Sequence, residues 1–181
     1  GPAFGKTAGS RGAAKEDWPT FRADTQRSGV AGTSVPREIE QKWEAKPGGR
    51  LTQPVVVANK LFIASSEART LYAMAADTGK SLWSVTVDGR IDSPPTWYDG
   101  RLFFGSRNGW VYCLDAADGT LAWRVRAAPD DRQIVSYSQL ESVWPVHGSV
   151  LVLDGLVYAA AGRNSYLDGG IRVVALDAAT G

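Results

Sequence analysis

The chain has 181 residues, 44% of them hydrophobic and 22% charged, with a formal net charge of +1. That balance supplies a sizeable core and excludes global disorder, and it gives no electrostatic reason to expect nucleic acid or an anionic membrane as partner. No run of about 18 apolar residues occurs, so no transmembrane segment is expected. The single cysteine, Cys113, excludes an intramolecular disulfide and a multi-cysteine zinc site.

Residues 1–16, rich in Gly and Ala with scattered Lys and Arg, are expected to form a flexible linker or tail. Residues 17–38 read as a lead-in segment. The chain starts at Gly1 rather than Met, so its own start is expected upstream or removed.

From there the sequence repeats. Trp43, Trp83 and Trp123 are 40 residues apart, and Pro54–Trp83 aligns with Pro94–Trp123 without a gap. That alignment places Phe62 on Leu102, Tyr72 on Tyr112 and Gly79 on Gly119. Each unit divides into four short apolar or β-branched runs separated by polar turns such as Asn59-Lys60 and Asp77-Thr78-Gly79. A strict period of this length selects radially repeated four-stranded antiparallel blades, so the fold class expected is all-β, a partial β-propeller. Residues 39–45 are expected as a closing outer strand, 51–85 and 91–125 as complete blades, and 146–181 as a blade that stops before its fourth strand. As part of a ring, such a chain is expected to associate through its unpaired edge.

The third unit breaks the period. Asp154-Gly155 falls 55 residues after Asp99-Gly100, and Asp177 falls 62 after Asp115, so 15 residues and then 7 more are inserted. The inserted loops, 126–145 and 162–170, leave the blade on one face because antiparallel strands reverse direction at each turn. They bring Glu141, Trp144, His147, Arg163, Asn164, Tyr166 and Asp168 to one surface, a mixture suited to binding a polar ligand or a peptide. The alternative is that the insertions pack on each other, Arg163 pairing with Glu141 or Asp168 while Trp144 and Tyr166 cover apolar surface. His147 starts an inner strand, aligned with Asp92 and Thr52. It serves there either as a ligand-binding group or as a hydrogen-bonded structural residue. The polar pairs Thr52-Gln53, Asp92-Ser93 and His147-Gly148 would form part of a ring that puts Gln53 and Asp92 at the channel mouth.

The strings AMAADTGKSLW at 73–83, CLDAADGTLAW at 113–123 and ALDAATG at 175–181 resemble the PQQ-like propeller repeat, A-x-D-x-x-T-G-x-x-x-W. That repeat is shared by quinoprotein dehydrogenases and BamB-like outer-membrane assembly factors. The resemblance implies that Trp43, Trp83 and Trp123 dock adjacent blades, that the ring has seven or eight blades, and that the protein works in the periplasm or at the cell surface. It leads to a non-catalytic binding or scaffold module with a protein partner or the remainder of its own propeller. No cofactor is expected under that reading. A quinoprotein dehydrogenase, with PQQ and Ca²⁺ in the channel, is the alternative it also implies. Cys113 alone cannot supply the adjacent cysteine pair common beside that cofactor. A third reading has Trp144 and Tyr166 stack on sugar faces.

Overall fold

In the computed structural model residues 12–136 and 138–181 are described, so most of the expected tail lies outside the described residues. All the regular structure among them is β. The first sheet runs β1 (Val55–Val57), β2 (Lys60–Ser65), β3 (Thr70–Ala75) and β4 (Ser81–Thr86), in that order and antiparallel throughout. The second repeats it with β5 (Thr96–Tyr98), β6 (Arg101–Gly105), β7 (Trp110–Asp115) and β8 (Leu121–Arg126). A two-stranded hairpin, β9 (Gln133–Ser136) and β10 (Gln139–Ser142), follows. The third blade has three strands, β11 (Leu151–Leu153), β12 (Leu156–Ala161) and β13 (Arg172–Asp177).

Two expectations need correction. Residues 39–45 carry no strand; within them the Trp43 indole N–H donates to Ala76 O at 3.0 Å. Residues 126–145 are not a plain loop, because the β9–β10 hairpin forms within them.

The registers also revise the gapless alignment. Phe62 pairs with Val55 and Ala73, and Phe103 pairs with Thr96 and Cys113. Phe62 therefore corresponds to Phe103, not to Leu102. The β6–β7 turn is one residue shorter than the β2–β3 turn, and the slip moves every inner-half position to the opposite sheet face. The cores record this alternation. Leu102 and Phe104 pack with Phe62, Ala64 and Leu71 between the first and second blades. Phe103, Val111, Cys113 and Trp123 pack with Val146, Val152 and Val157 between the second and third. A blade buried on both faces has no polar face, which explains its continuous apolar runs.

The Trp of each unit closes the seam to the next. Trp123 is buried, lies 5.8 Å from Phe103 between ring centroids, and donates its N–H to Ala178 O at 3.1 Å. Trp83 takes the same position 6.0 Å from Phe62, but its N–H has no partner among the described residues.

The lead-in crosses the inner strands of the first two blades and reaches the approach to β11 in the third. Trp18 exchanges two backbone hydrogen bonds with Val56, and Trp97 N–H donates to Pro19 O at 2.7 Å. Thr20 and Thr96 share a hydroxyl–hydroxyl bond of 2.8 Å, while Arg27 donates to Ser149 Oγ at 2.7 Å.

Candidate functional site

The hairpin β9–β10 brings Glu141 back toward the second blade. Its side chain is only 3% exposed and lies between two guanidiniums. Arg107, in the β6–β7 turn, donates from Nη1 to Oε2 at 2.8 Å, and Arg163, in the second insertion, donates from Nη2 to Oε1 at 2.6 Å. Arg163 also reaches Ser142 O at 3.3 Å. Burial acts to raise the Glu141 carboxyl, but hydrogen bonds from Ser136, Arg107 and Arg163 outweigh it and hold the group below its ordinary range.

The network extends inward. Arg107 also pairs with Asp92, whose side chain is 8% exposed, and Arg90 Nη2 lies 3.2 Å from Asp92 Oδ1. Three cations and two carboxylates thus run from the segment before β5 to the base of the β9–β10 hairpin and the start of the second insertion. The choice left open for Arg163 resolves to Glu141. Arg90 and Arg107 were hidden in the sequence because each sits in a short polar turn with nothing local to mark it. Of their carboxylate partners, Glu141 is brought to Arg107 by the folding of β10 back over the β6–β7 turn, and Asp92 lies on the segment before β5, two residues from Arg90.

The remaining candidates separate. Trp144 is 4% exposed, belongs to the core between the second and third blades, and carries Arg132 over its ring at 4.5 Å. That burial removes its ring from any sugar-stacking surface. His147 is exposed at the approach to β11. Tyr166 is 92% exposed and covers no apolar surface. Asn164 and Asp168 are exposed beside it; Asn164 Oδ1 accepts the Tyr166 backbone N–H at 2.7 Å and shapes the loop. Gln53 is exposed on the first blade, away from the network. With Tyr166 and Leu167 on one insertion and Val135 and Leu140 on the hairpin, the joined insertions present exposed apolar side chains above a buried ionic anchor.

No group of three or more His, Cys, Asp or Glu among the described residues could hold a metal ion. Cys113 lies in the core, where burial pushes its thiol up to about 12, so it is no nucleophile near neutral pH. No helix among the described residues is long and apolar enough to cross a membrane.

Comparison with known proteins gives the chain a family. The chain is 41% identical over 69 residues to the outer membrane protein assembly factor BamB of Moranella endobia, which covers 38% of this chain and 18% of that protein. It is 27% identical over 144 residues to the dehydrogenase subunit of a quinone alcohol dehydrogenase from Komagataeibacter europaeus, covering 74% of this chain and 19% of that one. The quinohemoprotein alcohol dehydrogenase of Comamonas testosteroni superposes with a TM-score of 0.69 at 21% identity, over 92% of this chain and 26% of the other. The chain spans about a fifth of the length of the curated relatives it matches. The structural likeness fixes the fold as part of a β-propeller. A family model described as outer membrane protein assembly factor BamB matches residues 33–181, and the chain belongs to that family of PQQ-like propeller repeats.

Proposed function

We propose that the chain is a non-catalytic binding module that holds a protein partner, outside the cytoplasm, through the face where its two insertions meet. One observation carries this reading. Glu141 pins hairpin and loop together from beneath while Val135, Leu140, Tyr166 and Leu167 stay 73%, 66%, 92% and 64% exposed. Apolar side chains held in place at a surface are an interaction signature. His147, Asn164 and Asp168 supply the polar surroundings that such patches carry. Relatives named as outer membrane protein assembly factors support a role in holding other chains.

The test is site-specific photo-crosslinking in the native cell. A crosslinker at Leu140 or Tyr166 is expected to capture the same partner, and one at Asp118, in the exposed β7–β8 turn, is not. Capture that is equal from Asp118, or that persists when Leu140→Asp is added to the Tyr166 probe, overturns the reading.

A second reading, a portion of a quinone-dependent alcohol dehydrogenase, is favoured by the relative that matches 74% of the chain. The described residues do not fit its cofactor set. Calcium takes about 6–8 oxygen ligands, and no acidic cluster converges here. Cys113 has no cysteine beside it and lies inside a core. Tight binding of PQQ with Ca²⁺, followed by absorbance, together with dye-coupled alcohol oxidation would favour this reading over the first.

A further inference from the structure

We infer a second binding site, on the face opposite the insertions, that takes a primary ammonium group on an aliphatic stem. It is independent of the partner surface. A cavity of about 470 Å³ opens among the strand-one-to-two turns of the three blades and the strand-three-to-four turns of the second and third. Another of about 450 Å³ lies beneath the lead-in. Trp97, Tyr98 and Asp99 line both, so this short stretch is a shared wall. Either volume is in the range of small-molecule sites.

The polar groups of the larger cavity are nearly all committed. Lys60 Nζ donates to the carbonyls of Ala116 and Ala117 at 3.3 and 3.4 Å. Arg101 donates to those of Ala178 and Ala179 at 3.0 and 2.8 Å. Both cations therefore tie one blade to the next. Asp115 Oδ1 accepts the Ala117 N–H at 2.7 Å, and Asp177 Oδ1 accepts those of Ala179 and Thr180, each at 2.8 Å. What remains is Asp99, whose Oδ1 is buried without a hydrogen-bond partner among the described residues.

An aspartate suits the positive φ of this turn, and Asp154 repeats it in the third blade at φ 50, but the turn also forms without a carboxylate. Ala58 holds the same position in the first blade, at φ 50 against 48 for Asp99. A buried acceptor left unpaired is costly, so the missing group is a donor. The lining carries Asp99, Asp115 and Asp177 against Lys60 and Arg101, one negative charge in excess, which favours a cationic donor over a neutral hydroxyl. The carboxylates do not converge as a metal-binding group. Trp97 and Tyr98 offer aromatic surface to a cation and its methylenes. A free alkylamine and a lysine side chain share this chemistry.

Isothermal titration with 1-aminohexane, 1-hexanol and Nα-acetyl-lysine methylamide tests the site. 1-Aminohexane is expected to bind and 1-hexanol to bind at least about tenfold more weakly. Asp99→Asn, whose amide fits the same turn, is expected to weaken the amine about tenfold or more at an unchanged thermal midpoint. Tyr98→Ala, at an exposed position, weakens it several-fold and gives the readout if Asp99→Asn fails to fold. Arg163→Ala, on the other face, leaves it unchanged. Binding of the lysine derivative as well as the amine assigns the ligand to peptides, and binding of the amine alone to free amines. No heat from either amine, equal binding of hexanol, or an Asp99→Asn variant that binds as the wild type overturns the site and leaves water as the partner of Asp99.

Discussion

Glu141 leaves solvent between two guanidiniums, so removing it and neutralising it are different experiments. Glu141→Ala strands Arg107 and Arg163 against a cavity. The loss expected is about 2 kcal/mol, less than for fully enclosed pairs because both guanidiniums keep some contact with water. Glu141→Gln retains an acceptor for one arginine, and its loss should be nearer 1 kcal/mol. The pH dependence separates charge from shape. The folded carboxyl is held below its ordinary value of 4.5, so its contribution is full above that value and is lost as pH falls through the lowered one. Urea titrations between pH 3 and 7 should therefore show wild type and Glu141→Gln converging in stability below about pH 4.5. Curves that stay parallel across that window would show that Glu141 is not charged in the fold. Because the side chain is enclosed, its part in the proposed binding is to position the two insertions, and Tyr166 and Leu140 are the side chains proposed to meet the partner.

The Thr-Gly of the repeat motif has its reason at the level of the element, in the tryptophan of the preceding unit. Gly119 has φ +80, and a Cβ there would stand 2.7 Å from Trp83 Cε3; Gly79 meets Trp43 in the same way at 2.4 Å. The glycine is required twice, once by the left-handed turn and once by the indole over it. Gly100 also has a positive φ, yet a Cβ there meets nothing within 4 Å. Gly119→Ala should thus destabilise by about 2–3 kcal/mol and Gly100→Ala by about 1 kcal/mol, measured by denaturant unfolding. Equal losses would mean that backbone strain alone sets the motif. This coupling of turn to indole explains why the outer half of each blade was legible: Trp83 and Trp123, Gly79 and Gly119 keep one spacing because they touch across blades. The inner half was not. Val55–Val57 and Thr96–Tyr98 are only three residues each, with Tyr98 alone exposed, too few positions to fix register, so a one-residue slip leaves the apolar pattern intact. The hairpin β9–β10 escaped for the opposite reason. Its alternation of Ile134, Val135 and Leu140 with Gln and Ser is too short and mixed to outweigh the turn-like sequence around it. The joined insertions were foreseeable as neighbours from topology, but the arginine beneath them was not.

At the scale of the whole molecule, stability passes between blades through two separate cores and one strap. Neither core reaches across the second blade: Leu102 and Phe104 face one way, Phe103 and Cys113 the other. Such stacked units are coupled only to their neighbours, so a contact that spans all three has an effect out of proportion to its size. The lead-in is that contact. Its bonds to Val56, Trp97, Thr96 and Ser149 cover the inner edges of β1 and β5 and the approach to β11. Thr96 then passes a hydroxyl bond to Val150 O at 2.8 Å, linking the second blade to the third. The family match begins only at residue 33, so this strap lies outside the shared repeat. A chain shortened to residues 33–181 keeps every strand but uncovers those edges, and bare edges pair with other chains. It should unfold roughly 5–10 °C lower than the full chain and associate at lower concentration, read by calorimetry and light scattering. If the shortened chain matches the full one in both, the blades are held by their tryptophan seams alone, and the lead-in is carried along rather than holding them together.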